Sequence, residues 1–322
     1  MTKLCVGIDI GGTNLKAGLL TNKGTMLEEY RCQLEVEDKT EEGMVNLCDK
    51  VVNKLMSISG FGTDSIVGVG IGVAGVIDDK NGIITKSPNF PEWNDFPFAR
   101  LLSERTDLLV TMENDVNAVA RGEQWCGAVK GENSFLAMAI GTGLGGAICL
   151  DGQIWRGVSG MAGEVGHICI DPDGRPCNCG SHGCLETIAS AVGLVASVKN
   201  DNFAELLEKV ESDSAIPYQL ALMAEEGNVQ AQGYWNDFGK AIGMALGGLL
   251  NTLNIKLVLL GGGLAKSFPL FYPAMEAELQ IRAYPAVWKG VEFRTSQLWE
   301  KAGIYGAAAN LLIELEKIEK KA

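Results

Sequence analysis

Positive charge is in short supply in this sequence: 27 lysines and arginines stand against 40 aspartates and glutamates, a formal net charge of −13 over 322 residues. That balance argues against nucleic acid as a partner, because nothing here could neutralise a phosphate backbone. Any phosphate-bearing ligand must be held by local devices, namely backbone N–H groups, one or two lysines and a divalent cation. Long apolar runs are missing as well. The longest uncharged stretch, residues 133–150, has 18 residues and is broken by glycines at 141, 143, 145 and 146. That pattern predicts buried strands around a tight loop rather than a membrane span. Met1 leads almost at once into a strand-like run, so no signal peptide is expected. No G-K-[ST] occurs anywhere, which excludes a P-loop. Histidine is down to two residues.

Those two histidines are informative because of where they fall. His167 and His182 both lie in Gly163–Glu186, G-E-V-G-H-I-C-I-D-P-D-G-R-P-C-N-C-G-S-H-G-C-L-E, together with four of the nine cysteines, Cys169, Cys177, Cys179 and Cys184. Soft thiolates and imidazoles gathered in a Gly/Pro-rich loop suit tetrahedral zinc better than any other common ion. Residue type and spacing leave all six as candidate ligands. The flanking Glu164 and Glu186 raise the reading of a zinc hydrolase, which would need an open coordination position. The other cysteines, Cys5, Cys32, Cys48, Cys126 and Cys149, are scattered, as expected of reduced thiols in a cytoplasm.

A soluble globular protein of this length, 47% hydrophobic and 21% charged, is expected to form two domains. Leu4–Ile10 and Leu15–Leu20 are strand-like and flank D-I-G-G-T-N, with a third strand over Thr25–Leu34. Thr40 can cap a helix in which Met44, Leu47, Cys48, Val51, Leu55 and Ile58 recur at helical spacing. A strand over Ile66–Val76, the turn-rich K-S-P-N-F-P-E-W (Lys86–Trp93), a helix over Phe98–Arg105, a strand over Leu108–Met112 and a helix over Val116–Val129 follow. The plan then restarts. At an offset of 130, Gly7–Leu20 lies over Ala137–Leu150, and each is strand, glycine turn, strand. A repeat at that distance is no solenoid and predicts two domains on one plan. Helices are expected over Asn202–Val210, Ile216–Glu226, Ala231–Leu253 and Ile304–Lys317, and a strand over Lys256–Leu260 before G-G-G-L-A.

A hairpin with glycines at its tip offers several unpaired N–H groups that a phosphate can approach closely. Gly11–Gly12–Thr13 and Gly141–Thr142–Gly143 both have this form. Asp9, beside the first, would repel phosphate unless Mg²⁺ or its bound water lies between. Gly141, Gly143 and Gly146 also spell G-x-G-x-x-G, but that fingerprint must open a helix, and Ala147–Leu150 reads as strand.

Two such turns at the starts of two similar domains resemble the superfamily of sugar kinases, actin and the heat-shock ATPases. Within it, D-I-G-G-T-N, E-N-D-V-N-A (Glu113–Ala118), G-T-G-L-G-G, G-E-V-G-H and C-N-C-G-S-H-G-C-L-E, in this order, resemble the ROK family of repressors and sugar kinases over residues 4 to 310. K-S-P-N-F-P-E-W is similar to its glucokinases. The resemblance implies an α/β fold of the two-domain actin-like ATPase type, a duplicated ribonuclease H-like plan with a cleft between domains. The domains would be 1–118 plus 303–322, and 119–302 with a zinc loop at 167–184. It implies phosphorylation of a hexose, most readily glucose at its 6-hydroxyl, by ATP and Mg²⁺. Fructose, mannose, allose and N-acetylmannosamine kinases share most of these motifs. Asp115 matches the catalytic base. Strand alternation would point Glu113 the same way, and a plain helix cap is the ordinary use of an Asp there. Gly75, Asn89, Asn114, Glu164, His167 and Glu186 match sugar-binding positions, and Asp115 itself faces the substrate. Asp9, Gly11, Gly12, Thr13, Asn14, Lys16, Thr142, Gly143, Gly262 and Gly263 match ATP-binding ones. The zinc ligands become His167, Cys177, Cys179 and Cys184, a closed set that marks structural zinc. A homodimer that stays off membranes and nucleic acid is the expected assembly. With a first strand starting by Leu4, the DNA-binding module of a ROK repressor is not expected.

Overall fold

The structure, a computed structural model, describes residues 3–59 and 65–320. β1 (Leu4–Ile10), β2 (Asn14–Thr21) and β3 (Met26–Gln33) form an antiparallel meander. α1 (Glu41–Ser59) starts at Thr40, whose hydroxyl accepts the Gly43 N–H at 3.0 Å, and buries Met44, Cys48, Val51 and Leu55. β4 (Ile66–Val73) pairs parallel with β1. β5 (Val76–Asp78), β6 (Ile83–Lys86) and β7 (Asn94–Phe96) make a small antiparallel sheet. α2 (Phe98–Thr106), β8 (Val110–Asn114) and α3 (Asp115–Cys126) follow. The main sheet runs β3-β2-β1-β4-β8.

β9 (Phe135–Ile140), β10 (Leu144–Leu150) and β11 (Gln153–Ile154) open a second sheet. After the cysteine loop come α4 (Ala191–Asn200), α5 (Ala204–Leu207), α6 (Ile216–Glu225) and α7 (Val229–Leu253). β12 (Leu257–Gly261), α8 (Phe268–Arg282), α9 (Pro285–Trp288), β13 (Glu292–Thr295) and α10 (Ala302–Glu319) complete the chain. This sheet runs β11-β10-β9-β12-β13. In each sheet a hairpin starts the fold, its first strand pairs parallel with a later strand, and that strand pairs parallel with one more. The sequence repeat is thus a repeat of topology, five strands in one order twice.

The chain divides into two compact units. The first holds Met1–Glu132, Ile154–Ala162 and Gln297–Ala322, and the second Asn133–Gln153 and Gly163–Ser296. A boundary at 118/119 would cut α3, and α3 packs along α10. Helices meet that closely only when small residues face one another, and α10 buries Ala302, Gly303, Gly306 and Ala307. The break therefore comes after the helix. Among the described residues no helix is long and apolar enough to cross a membrane.

Candidate functional site

In the first unit the β1–β2 register sets Asp9 opposite Lys16 and Ile10 opposite Leu15. The tip, Gly11–Gly12–Thr13, closes with Gly11 N–H on the Asn14 carbonyl at 3.0 Å. Asp9 lies against the first turn of α10, where a Cβ on Gly303 would stand 2.6 Å from its Cγ. Any larger residue there would push the Asp9 carboxylate out of its place, a constraint nothing in the sequence announced. Burial pushes the Asp9 carboxyl up to about 6; Lys16 pulls it down and Asp115 pushes it further up. Its folded value lies above the ordinary 3.8, so the folded chain binds this proton more tightly than the unfolded chain. The stability Asp9 contributes is therefore full in acid and is lost as pH rises through about 6. The Mg²⁺-nucleotide role expected of Asp9 calls for the opposite, the ionised form. The KM for Mg-ATP is expected to rise as pH falls through about 6 in the wild type. In Asp9→Asn it should be high and flat with pH. A wild-type KM that is level between pH 5 and 8 would remove Asp9 from the nucleotide site.

β8 ends at Asn114 and α3 begins at Asp115. The cap of α3 is Asn114, whose Oδ1 accepts the N–H groups of Val116 at 3.0 Å and Asn117 at 3.2 Å. Asp115 is the first helical residue, so the cap role expected as its ordinary use belongs to its neighbour. Strand alternation does not relate Asp115 to Glu113 either, because the strand has already ended. Glu113 is buried and bound by Arg156 and Asn117. Asn114 Nδ2 donates to the Gly75 carbonyl at 3.3 Å, which leaves one N–H of that amide for a ligand. Gly75 has φ +145 and a Cβ there would lie 2.3 Å from the Lys86 carbonyl oxygen. The Lys86–Trp93 loop is held from below by Phe90 stacked on Trp93 at 4.0 Å, with Phe96 and Phe98 beside them. Trp93 Nε1 donates to the Lys39 carbonyl at 2.9 Å. Asn89 rides exposed on this aromatic base, against Gly12. The hairpin tip matched to ATP and an asparagine matched to sugar therefore meet.

In the second unit the β9–β10 hairpin closes with Gly141 N–H on the Gly143 carbonyl at 2.9 Å, and β10 follows directly, as rejection of the dinucleotide fingerprint required. The head of α4 is tied to this tip: Ala191 and Val192 donate to the carbonyls of Gly141 and Thr142 at 2.9 and 3.2 Å. Glu186 accepts the Leu144 N–H at 2.8 Å, and a Cβ on Gly143 would lie 2.3 Å from its Oε2. Gly262, just after β12, has φ +81 and abuts the Ile140 carbonyl at the end of β9. Thr142, Gly143 and Gly262 thus gather at one end of one sheet. In G-E-V-G-H, Gly163 and Gly166 lie flat on the backbone of β10, so Val165 is buried while Glu164 and His167 are exposed. Glu164 Oε2 is 3.9 Å from His167 Nε2.

Of the six candidate metal ligands, four converge. His167, Cys177, Cys179 and Cys184 bring ligand atoms within 4.8 Å of one another. His167 Nδ1 to Cys177 Sγ and Cys179 Sγ to Cys184 Sγ are each 3.6 Å. Tetrahedral zinc, with Zn–S of about 2.3 Å and Zn–N of about 2.0–2.1 Å, calls for ligand separations of about 3.5–3.8 Å. Burial and the neighbouring Cys179 and Cys177 push the Cys184 thiol up to about 12. The Cys179 thiol is instead held below its ordinary value, first by a hydrogen bond from the Ser181 backbone. Three sulfurs and one imidazole at these separations are a donor set that fits zinc. Cys169 and His182 fall outside the set; each sits on the loop's own ladder, across from Cys184 and Pro176.

The ROK family model matches residues 5–313. The chain is 34% identical to a glucokinase of Halalkalibacterium halodurans over 94% of this chain and 92% of that one. It is 31% identical to a xylose repressor of Bacillus spizizenii, covering 94% of this chain and 76% of the repressor. A ROK glucokinase from Streptomyces griseus in complex with glucose and AMPPNP superposes with a TM-score of 0.76 at 31% identity, over 95% of this chain and 98% of that one. Motif order, the twice-used sheet and these matches agree, and the chain belongs to the ROK family.

Proposed function

We propose that this chain is an ATP-dependent hexose kinase, with glucose converted to glucose 6-phosphate as its main reaction. What carries the reading is the layout of the first unit: Asp9 opposite Lys16 beside the Gly11–Gly12–Thr13 tip, Asn89 against Gly12, and Asp115 at the head of α3. Phosphoryl transfer asks for little more than positioning, charge neutralisation and one base. Asp115 takes the proton of the sugar 6-hydroxyl as that oxygen bonds to the γ-phosphorus and ADP departs. Mg²⁺ brought in with ATP would neutralise phosphate charge, and Asp9 and Lys16 would flank the place for it. The N–H groups of Gly11–Thr13 and of Thr142–Gly143 hold phosphates, and Gly262–Gly263 passes close to the adenosine. Asn89, Asn114, Glu164, His167 and Glu186 read sugar hydroxyls, and Gly75 lets the backbone approach the ring. His167, Cys177, Cys179 and Cys184 would hold zinc as a closed set, which supplies structure and leaves no position for a reacting water. A cytoplasmic homodimer belongs to the same proposal.

The glucokinase relatives support glucose and ATP, while the xylose repressor favours a second reading, a sugar sensor without catalysis. An ADP-release assay over glucose, mannose, fructose, allose and N-acetylmannosamine, repeated with polyphosphate as donor, separates them. The expected outcome is the highest kcat/KM with glucose and ATP. Sugar binding without turnover of any hexose would make the chain a sensor.

A further inference from the structure

Arg156 sits on residues 154–162, a stretch that leaves the second unit after Gln153, packs within the first, and returns at Gly163. Its guanidinium grips Glu113 at two points, Nη2 on Oε2 and Nε on Oε1 at 3.4 Å. Asp79 Oδ2 lies 3.5 Å from Nε, and Asn310 Oδ1 accepts from Nη2 at 3.5 Å. Glu113 is only 2% exposed, and its Oε1 also accepts the Asn114 N–H and an Asn117 Nδ2–H, both at 3.1 Å. One carboxylate therefore holds the last residue of β8 and the third residue of α3, on either side of Asp115. A buried carboxylate keeps such a role only while its charge is matched; unmatched, it takes up a proton or turns toward water.

We propose that Arg156 is a positioning residue for the phosphoryl transfer: through Glu113 it fixes the strand-to-helix corner that carries Asp115. This rests on the kinase reading above. The planar fork matters as much as the charge, because two parallel bonds fix orientation where an ammonium would fix only a distance. Arg156 also closes its own loop, its carbonyl accepting the Ala162 N–H at 3.0 Å. The chain then crosses to the second unit at Gly163, one residue before Glu164. Loss of Arg156 is thus expected on the sugar side of the kinetics, in kcat and in the KM for hexose. The Asp9 hairpin shares none of these contacts, so the KM for ATP should hold.

The test is two-substrate steady-state kinetics, with thermal melts, on the full chain as wild type, Arg156→Lys, Arg156→Gln, Glu113→Gln and the Glu113→Gln/Arg156→Gln double variant. Arg156→Gln is expected to lower kcat about 100-fold, the cost of a misplacement of roughly 1 Å at the reacting centre. Arg156→Lys should recover about tenfold of that, having the charge without the fork. The double variant should be no worse than the worse single one, because both act through one pair. If Arg156→Gln fails to fold, Arg156→Lys and Glu113→Gln carry the same expectation of a lowered kcat with an unchanged KM for ATP. An active wild type with variants inside about twofold of its kcat overturns this inference alone. So do additive losses in the double variant, or a lowered melting temperature with kcat preserved below the melt. A wild type that turns over no hexose overturns the kinase reading and this inference with it.

Discussion

Replacing Asp115 with alanine is expected to reduce kcat by roughly 10²–10⁴-fold, the usual worth of a positioned general base, while the protein stays folded. The corner it occupies explains why the fold survives. Asn114 supplies the cap to α3, and Glu113 with Asn117 ties the corner from inside, and these bonds remain after the change. As a negative charge in the first turn, Asp115 contributes about 0.3–1 kcal/mol to the helix. Circular dichroism and melting of the variant should therefore match the wild type closely, and the KM for ATP should change little. A second sign is available. The Asp115 charge is one of the causes that raise Asp9, so Asp115→Ala should move the pH dependence of the Mg-ATP KM toward acid. Asp115→Asn should give the same loss of kcat, since an amide accepts no proton at neutral pH. Full turnover in either variant would remove the base and with it the mechanism.

The outline of the fold was legible because it is written in local terms. Two strand–glycine–strand segments at one offset became two hairpins, and each hairpin begins a five-strand sheet of the same order. The Thr40 cap and the helical spacing of Met44, Cys48, Val51 and Leu55 became α1. What escaped was set by tertiary context. α8 carries Pro269 and Pro273 and drew no helix expectation. Pro269 sits in the first turn, where its missing N–H has no partner to lose, whereas Pro273 lies inside the helix and leaves the carbonyl of Pro269 without its i→i−4 donor. The helix expected over Asn202–Val210 shrinks to the four residues of α5.

At the site, residue type and spacing pointed to the cysteine loop but left Cys169 and His182 open, and only the family resemblance narrowed the six to the four that converge. The choice between Asp115 and Glu113 could not be made from alternation, because alternation fails where a strand turns into a helix. Arg156 gave no signal at all. It is 43 residues from Glu113, and the pair forms only because residues 154–162 fold back into the first unit. Gly303 was equally silent; its reason is the carboxylate of Asp9 nearly 300 residues earlier.

The second large effect belongs to the cysteine loop. Cys177→Ser, or removal of zinc by a chelator, is expected to melt residues 163–186 and abolish hexose binding. The loop has little else to hold it. Its backbone bonds, such as Leu185 N–H to Ile168 O at 2.9 Å and Cys177 N–H to Ser181 O at 2.8 Å, are turn and bridge bonds within the loop itself, and many of its side chains are exposed. The Arg175 guanidinium, donating to Thr187 O, Gly193 O and Ser197 Oγ, fastens one side to α4. A structural zinc contributes about 10–16 kcal/mol of apparent binding energy, far more than those contacts supply. His167 belongs to the proposed ligand set and neighbours Glu164, and Cys184 lies two residues before Glu186, so loss of the proposed metal is expected to free three residues assigned to the sugar at once. Glu186 also accepts the Leu144 N–H beside the Gly141–Gly143 turn, so the damage should reach nucleotide binding in the second unit while the Asp9 hairpin is spared. Metal analysis should find one zinc per chain in the wild type and none in Cys177→Ser, with hexose binding lost by calorimetry. Cys169→Ser, outside the ligand set, should keep both zinc and sugar. A Cys177→Ser variant that is folded, zinc-free and binds hexose as the wild type does would show that the loop holds its shape without metal, and Glu164, His167 and Glu186 would then need another support.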